Sequence, residues 1–192
     1  FAAELLLTTP QPTETPQQFF TRFLPRLRLD VEREVRIALK DAPLASYPTA
    51  AATWLRASHG SIEAATLGDS IAIVRDPSGR VTVIGEPGRP GEEQTRAKRV
   101  MAMAPEERRK WLQDVRTLHN TERGYWVFGV QPEAAAHILH QTAAAPPGTR
   151  ILAMTDGFYR LVSPYGRYTD AALIEAAIAK GLGPLLTELR SL

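Results

Sequence analysis

Residues 61–85, SIEAATLGDSIAIVRDPSGRVTVIG, contain three short runs of residues that favour β-strands. The runs cover residues 61–67, 70–75 and 80–85, and a fourth run over 49–58 precedes them. Short segments typical of tight turns separate them: His59-Gly60, Gly68-Asp69 and Pro77-Ser78-Gly79. Because strands joined by such short connections run antiparallel, this part of the chain predicts antiparallel pairing of these strands.

Helical patterns lie on both sides of this strand block. Before it, residues 17–40 carry apolar side chains at close to helical spacing, which predicts a long helix with a kink or restart at Pro25. After it, residues 92–120 form a second helical region in which Pro105 marks a helix start. Strands in the middle with helices on either side predict a layered α+β sandwich.

The last third of the chain combines both patterns. Residues 124–130 are aromatic and β-branched and predict a strand. Pro132 marks the start of a helix that runs to about residue 142. Residues 150–154 predict a strand that leads into Asp156, and two or three helices follow it.

The composition is that of an ordinary globular protein, with 44% hydrophobic and 23% charged residues in a chain of 192. The 23 basic and 21 acidic residues leave a net charge of +2, which is too small to predict a nucleic-acid partner. No apolar run approaches the length of a membrane span, so we expect no membrane partner. The chain has no cysteine, which excludes disulfides and thiolate zinc sites and fits a cytoplasmic location.

Two aspartates stand at the ends of predicted strands. Asp69 lies in a turn between two strand runs, and Asp156 follows the strand within residues 151–162, ILAMTDGFYRLV. A carboxylate is costly to bury unless it is solvated, paired with a positive charge or bound to a metal. The two acids therefore suggest metal-assisted phosphate chemistry. The structural alternatives are that Asp156 caps the helix after it and that Asp69 stabilises its turn.

Three segments in a fixed order carry a resemblance to a known family. They are TLGDS at 66–70, RGYWV at 123–127 followed by PEAA at 132–135, and the TDG segment at 151–162. In order and spacing they resemble the type-2C (PPM-class) metal-dependent protein serine/threonine phosphatases in their bacterial form. The resemblance covers about residues 48–189, which is most of the chain.

The resemblance implies a fold, a reaction and a cofactor. The family fold is a four-layer α-β-β-α sandwich, in which two antiparallel sheets are flanked by helices. Its members hydrolyse phosphomonoesters by attack of a metal-activated water, so the implied partner is a phosphorylated protein, such as the target of a cognate serine/threonine kinase. The implied cofactors are two Mg²⁺ or Mn²⁺ ions in the intact enzyme.

The resemblance also implies roles for particular residues. Asp156 matches the position of a metal-bridging aspartate, which makes it the catalytic and metal-binding candidate. Asp69 matches a position that helps to hold a further metal in several members. The usual acidic partner of that position is replaced here by Arg160, which cannot bind a metal, and a contact between Asp69 and Arg160 is one hypothesis for this exchange.

Two arginines are candidates for binding the phosphorylated substrate. Arg89 lies in the glycine- and proline-rich segment 85–91, and Arg123 stands at the start of a predicted strand. The alternatives are that this segment is only a flexible flap and that Arg123 forms a salt bridge. Among the histidines, His119 is interpreted as a cation at a helix end, and His137 and His140 as a pair on a helix surface.

The chain departs from the family pattern at both ends. Glu4 is the only acid before Thr8, where the family's first aspartates should already have occurred, and the final aspartate of the pattern should follow Leu192. We therefore expect a single phosphatase-like domain over residues 1–192 that is truncated or disordered at both ends. Because only Asp156 of the usual ligand set is present, the alternative is a catalytically inactive pseudophosphatase or a regulatory phosphoprotein-binding module.

Overall fold

The computed structural model describes residues 13–86, Thr95 and residues 98–192. The chain is 44% helical and 22% strand, which confirms a mixed α+β fold. The α-helices whose bounds lie within the described residues are α1 (Pro16–Val35), α2 (Pro105–Arg116), α3 (Asp156–Tyr159), α4 (Asp170–Lys180) and α5 (Leu182–Arg190). Its strands are β1 (Thr49–Ala50), β2 (Ala52–Ser58), β3 (Ser61–Leu67), β4 (Ile71–Arg75), β5 (Val81–Ile84), β6 (Phe128–Gly129), β7 (Leu139–Ala144) and β8 (Arg150–Met154).

Helix α1 is amphipathic and is capped at its N-terminus. The Thr15 side chain accepts a hydrogen bond from the Gln18 N–H (3.2 Å), and the Gln18 side chain accepts one from the Thr15 N–H (2.9 Å). The helix continues through Pro25 and ends at Val35, where Arg36 adopts a left-handed backbone conformation with a φ of 56°. The prediction of one helix up to residue 40 is therefore wrong at its C-terminal end.

Within the described part of the chain, the strands form two three-stranded antiparallel sheets and one two-stranded ladder. β3 lies between β2 and β7, β4 lies between β5 and β8, and β1 pairs with β6. The hairpins β2–β3 and β4–β5 confirm the predicted antiparallel pairing, but β3 and β4 belong to different sheets. The turn between β3 and β4 therefore carries the chain from one sheet to the other. Within this turn, the Gly68 N–H donates a hydrogen bond to the carbonyl oxygen of Trp126 (2.8 Å).

Alternating side chains of β3 and β4 face different parts of the core. One side of each strand contributes to a cluster shared by both three-stranded sheets, which contains Ile62, Ala64, Ala72, Val74, Ile84 and Ala143. The other side of β3 packs against α1 in a cluster that includes Phe19, Phe23, Leu24, Ala65 and Leu67. The other side of β4 packs against α4 and α5 in a cluster that includes Ile71, Ile73, Leu173, Ile174 and Leu185.

The segment after Pro132 is not the helix that the sequence predicts up to about residue 142. A 3-10 segment, Pro132–His137, is followed by strand β7. β7 pairs with β3 from Thr66 opposite Leu139 to Ser61 opposite Ala144. This pairing satisfies the backbone groups of both strands and buries one face of β7, so tertiary contacts override the local helix propensity.

Residues 117–127, called the 117–127 loop, follow α2, which begins at Pro105 as predicted. Asn120 is buried and organises the loop: its N–H donates to the Tyr125 carbonyl (3.0 Å), and its Oδ1 accepts from the Val127 N–H (2.7 Å). Its Nδ2 donates to Gln131 Oε1 (3.0 Å). Because these backbone groups bond to Asn120, the strand predicted over 124–130 is reduced to the two residues of β6.

Gly124 completes the 117–127 loop at a point where no side chain fits. A Cβ on this residue would lie 1.9 Å from the carbonyl oxygen of Leu118 and 2.9 Å from the Leu118 Cβ. The Gly124 N–H donates to the carbonyl oxygen of Thr121 (3.0 Å), which closes the turn. The tight path of the loop therefore requires glycine.

Strand β8 and the helices after it follow the prediction. The strand has the predicted bounds, and Asp156 begins the short helix α3 directly after it. The Thr169 side chain caps α4 by accepting from the Ala172 N–H (3.1 Å). Within the ranges that the structure describes, no helix has both the length and the apolarity needed to cross a membrane.

Replacing Leu173 by alanine is expected to destabilise the fold, because this side chain of α4 is 0% exposed and its loss leaves a cavity. We expect the free energy of unfolding to fall by about 2–5 kcal/mol. Ile178 lies on the same helix but is 46% exposed, so Ile178→Ala is the matched control and should cost less than about 1 kcal/mol. Chemical denaturation measures both; equal losses would contradict the orientation of α4.

Replacing Gly124 by alanine is expected to lower the free energy of unfolding by about 3 kcal/mol, because the new methyl group meets backbone that cannot move freely. Gly166→Ala is the control. A Cβ on Gly166 would meet no neighbouring atom within 4 Å, and only the φ of 59° disfavours alanine there, at a cost of about 1 kcal/mol. Denaturant titration compares the two variants, and a Gly124 variant as stable as the control would refute the close packing of the loop.

Candidate functional site

The register between β4 and β8 brings Asp69 and Asp156 to the same edge of a sheet. Ile71 at the start of β4 pairs with Met154 at the end of β8. Asp69 lies two residues before Ile71 and Asp156 lies two residues after Met154, so both follow the same end of the β4–β8 ladder, where the charge of Asp156 acts on the Asp69 carboxyl group. The structure thus joins the two acids that the sequence singled out.

Local structure holds each aspartate at this edge. Gly68, before Asp69, has a φ of 84°, and a Cβ on it would lie 3.0 Å from the Ala51 Cα. Asp156 is half-buried as the first residue of α3, while Thr155 is the N-cap residue. The Asp156 side chain is therefore not the helix cap of the structural alternative.

The Asp69 carboxyl group has a raised pKa, although the residue as a whole is exposed. Partial burial of the carboxyl group is the larger cause, and the negative charge of Asp156 adds to it. A hydrogen bond from its own backbone and the positive charge of His119 lower the pKa in the opposite direction. The two carboxylates therefore repel each other, which is an arrangement that a bound cation relieves.

The described residues fit one cation better than two. In the ranges 13–86 and 98–192, no group of three or more histidine, aspartate and glutamate side chains is arranged to hold a metal ion. The Asp69–Asp156 pair suits a single hard cation, because Mg²⁺ is commonly held by one or two carboxylates with water and phosphate oxygens around the rest of it. These residues do not by themselves form the two-ion centre that the resemblance implies.

The structure adds His119 to the site. Its ring packs edge-on against the Tyr125 ring, with the ring centroids 4.8 Å apart. His119 lies close enough to Asp69 for the charge of each side chain to affect the pKa of the other. Sequence reasoning missed this role because the two residues are far apart in the chain and no motif links them.

Of the two arginines predicted to bind substrate, Arg123 lies within the described residues. Arg89 lies outside the described residues. Arg123 is exposed in the turn of the 117–127 loop, rather than at the start of a strand, and forms no ion pair with the part of the chain that the structure describes. Arg160 is exposed at the end of α3 and does not form the hypothesised contact with Asp69.

His137 and His140 are not a pair on one helix. His137 ends the 3-10 segment and stacks on the Trp126 ring, with centroids 3.5 Å apart and planes inclined by 4°. His140 lies on β7, and its Nε2 is 3.0 Å from Glu63 Oε1. The two histidines therefore have separate structural partners.

Comparison with known proteins assigns the chain to a family. Residues 2–181 match the family model described as Protein phosphatase 2C, which is nearly the whole chain. Searches of curated proteins and of solved structures found no match. The matched range contains the Gly68-Asp69 turn, the 117–127 loop and Asp156, which are the segments that build the site described above. The chain therefore belongs to the protein phosphatase 2C family.

Proposed function

We propose that this protein is a metal-dependent protein serine/threonine phosphatase that hydrolyses phosphomonoesters on phosphorylated proteins. Membership of the protein phosphatase 2C family supports phosphatase activity. The single structural observation that carries the metal dependence is the β4–β8 register, which directs Asp69 and Asp156 to one sheet edge. The negative charge of Asp156 raises the pKa of the Asp69 carboxyl group, and two neighbouring carboxylates are a donor set that a hard divalent cation prefers.

We also propose the fold in its finer form, a single domain over residues 1–192 built as a four-layer α-β-β-α sandwich. The composition of the three apolar clusters supports this arrangement. One cluster draws residues from both three-stranded sheets, a second joins β3 to α1, and a third joins β4 to α4 and α5. This order of contacts is the one that two facing sheets between two helical layers require.

In this proposal Asp156 anchors the cation and Asp69 supports it. Mg²⁺ and Mn²⁺ are the ions that suit carboxylate oxygens. Such an ion, when bound, supplies Lewis acidity that lowers the pKa of water and neutralises charge on phosphoryl oxygens. The exposed guanidinium of Arg123, and that of Arg89, would hold phosphoryl oxygens by paired N–H donors.

The substrate is proposed to be a phosphoserine or phosphothreonine side chain of a cytoplasmic protein, such as the target of a cognate kinase. The net charge of +2 supports a protein substrate over a nucleic acid, because it provides little attraction for a polyanion. An accessible edge with one exposed and one half-buried aspartate suits a phosphate group presented on another protein's surface.

Removal of the Asp156 charge is the first test of this proposal. We expect Asp156→Asn in the full-length protein to abolish Mn²⁺ binding measured by calorimetry, and to lower kcat for p-nitrophenyl phosphate by about 100-fold or more. Asp69→Asn should weaken binding less, because Asp69 is the supporting ligand. Asp114→Asn is the control, since Asp114 is 62% exposed and pairs with Lys110 on the surface of α2.

The result that would overturn the proposal is a full-length protein that neither binds Mn²⁺ nor hydrolyses a phosphomonoester. Unchanged Mn²⁺ affinity in Asp156→Asn would remove the assigned role of that residue. Binding of a phosphorylated protein without hydrolysis would favour the alternative of a pseudophosphatase or a regulatory phosphoprotein-binding module.

Arg123 is tested separately through substrate affinity. We expect Arg123→Ala to raise KM for a phosphothreonine peptide by about tenfold with little change in kcat, because the guanidinium binds the substrate and its transition state alike. Arg109→Ala is the matched control; Arg109 is 70% exposed and pairs with Glu106 on α2. Steady-state kinetics measure KM for both variants. Equal KM values in the two variants would show that Arg123 does not bind the substrate.

A further inference from the structure

The 117–127 loop forms a rigid support beside the acidic pair. The Gly68 N–H donates to the carbonyl oxygen of Trp126 (2.8 Å), so the loop is fixed to the residue directly before Asp69. Within the loop, the three hydrogen bonds of Asn120 and the close packing of Gly124 leave little freedom. His119 is the neighbour of Asn120 in the chain and is therefore held at a defined place relative to Asp69.

The two ring nitrogens of His119 have different surroundings. Nδ1 is buried and has no hydrogen-bond partner among the described residues. Nε2 also makes no hydrogen bond within the described part of the chain, but it is not among the buried atoms. A buried polar nitrogen without a partner is uncommon and needs an explanation. Here the ring orientation is set by packing against Tyr125, and it leaves Nε2 as the nitrogen that can meet a ligand.

The surroundings of the His119 ring favour its neutral form. Partial burial and then the positive charge of Arg116 lower the pKa of His119, and the negative charge of Asp69 opposes them only in part. A neutral imidazole has one N–H donor and one acceptor. The arrangement that costs least places the lone pair at buried Nδ1 and the N–H at accessible Nε2, because a donor that can reach solvent or a ligand is not left unsatisfied.

We propose that the Nε2–H of His119 donates a hydrogen bond to a phosphoryl oxygen of a substrate bound at the Asp69–Asp156 pair, which makes His119 a further catalytic residue. The inference rests on the proposed function, because it needs a phosphoryl group at that edge of the sheet. Within the described residues Asp69 takes no hydrogen bond from His119, so the donor is available for this contact. Its place on the 117–127 loop means that no rearrangement of the backbone is needed to present it.

Kinetics of three variants of the full-length protein test the inference. We expect His119→Ala to lower kcat/KM by about tenfold or more, equally for a phosphothreonine peptide and p-nitrophenyl phosphate, because the lost contact is to the phosphoryl group common to both. Mn²⁺ affinity should stay at the wild-type value. His119→Asn should recover part of the loss, since an amide N–H can donate in place of the imidazole.

The matched control is His59→Asn. His59 lies in the turn at the far end of the β2–β3 hairpin from Gly68, and asparagine tolerates its φ of 44°. This control should keep the wild-type kcat/KM. A His119→Ala protein with wild-type kcat/KM and wild-type Mn²⁺ affinity would overturn the inference.

Nuclear magnetic resonance of protein labelled with ¹⁵N-histidine provides a readout that does not depend on turnover. We expect the His119 ring to be in the Nε2–H tautomer and its resonances to shift when inorganic phosphate is added in the presence of Mg²⁺. Failure of the wild-type protein to bind Mn²⁺ or to hydrolyse either ester would defeat the proposed function. In that case the phosphate titration still decides on His119: a saturable shift supports the contact with phosphate, and an unchanged ring refutes it.

Discussion

The pairing of β4 with β8 is the constraint on which the rest of the site depends. Ile71 and Ile73 on β4 are 1% and 0% exposed and must face the cluster under α4 and α5. A slip of one residue would turn them toward the other face of the sheet, so burial fixes the register. The same register places Asp69 and Asp156 just beyond one end of the ladder, where the charge of Asp156 acts on the Asp69 carboxyl group. The apolar core therefore holds two like charges together that would otherwise move apart.

A second constraint comes from hydrogen bonds rather than from burial of apolar area. Asn120 is buried, and its backbone and side-chain groups are bonded within the 117–127 loop and to Gln131. Because a buried amide without partners is costly, these bonds specify one path for the loop. The bond from Gly68 to Trp126 then joins this loop to the turn that carries Asp69. The β4–β8 pairing and the 117–127 loop thus position the site from two sides.

Much of the fold was predictable because its signals are local. Strand runs, turn residues and the apolar face of α1 depend on neighbours within a few positions, and β2, β3, β4, β5 and β8 follow their predictions closely. The wrong secondary-structure predictions lie where contacts with distant residues outweigh the local preference for a helix or a strand. The alanine-rich segment after Pro132 contains a strand because β3 supplies its partner, and residues 124–127 are not a strand because Asn120 takes their backbone groups.

By itself, the sequence determined the α+β class, both hairpins, the family resemblance and the two aspartates at strand ends, since all of these are encoded in short motifs and periodic patterns. Only the tertiary structure decided that β4 pairs with β8, that Asp69 and Asp156 share an edge, and that His119 joins them. These contacts join residues far apart in the chain. They form only when burial and hydrogen bonding across the whole core select one arrangement, and no local pattern records that selection.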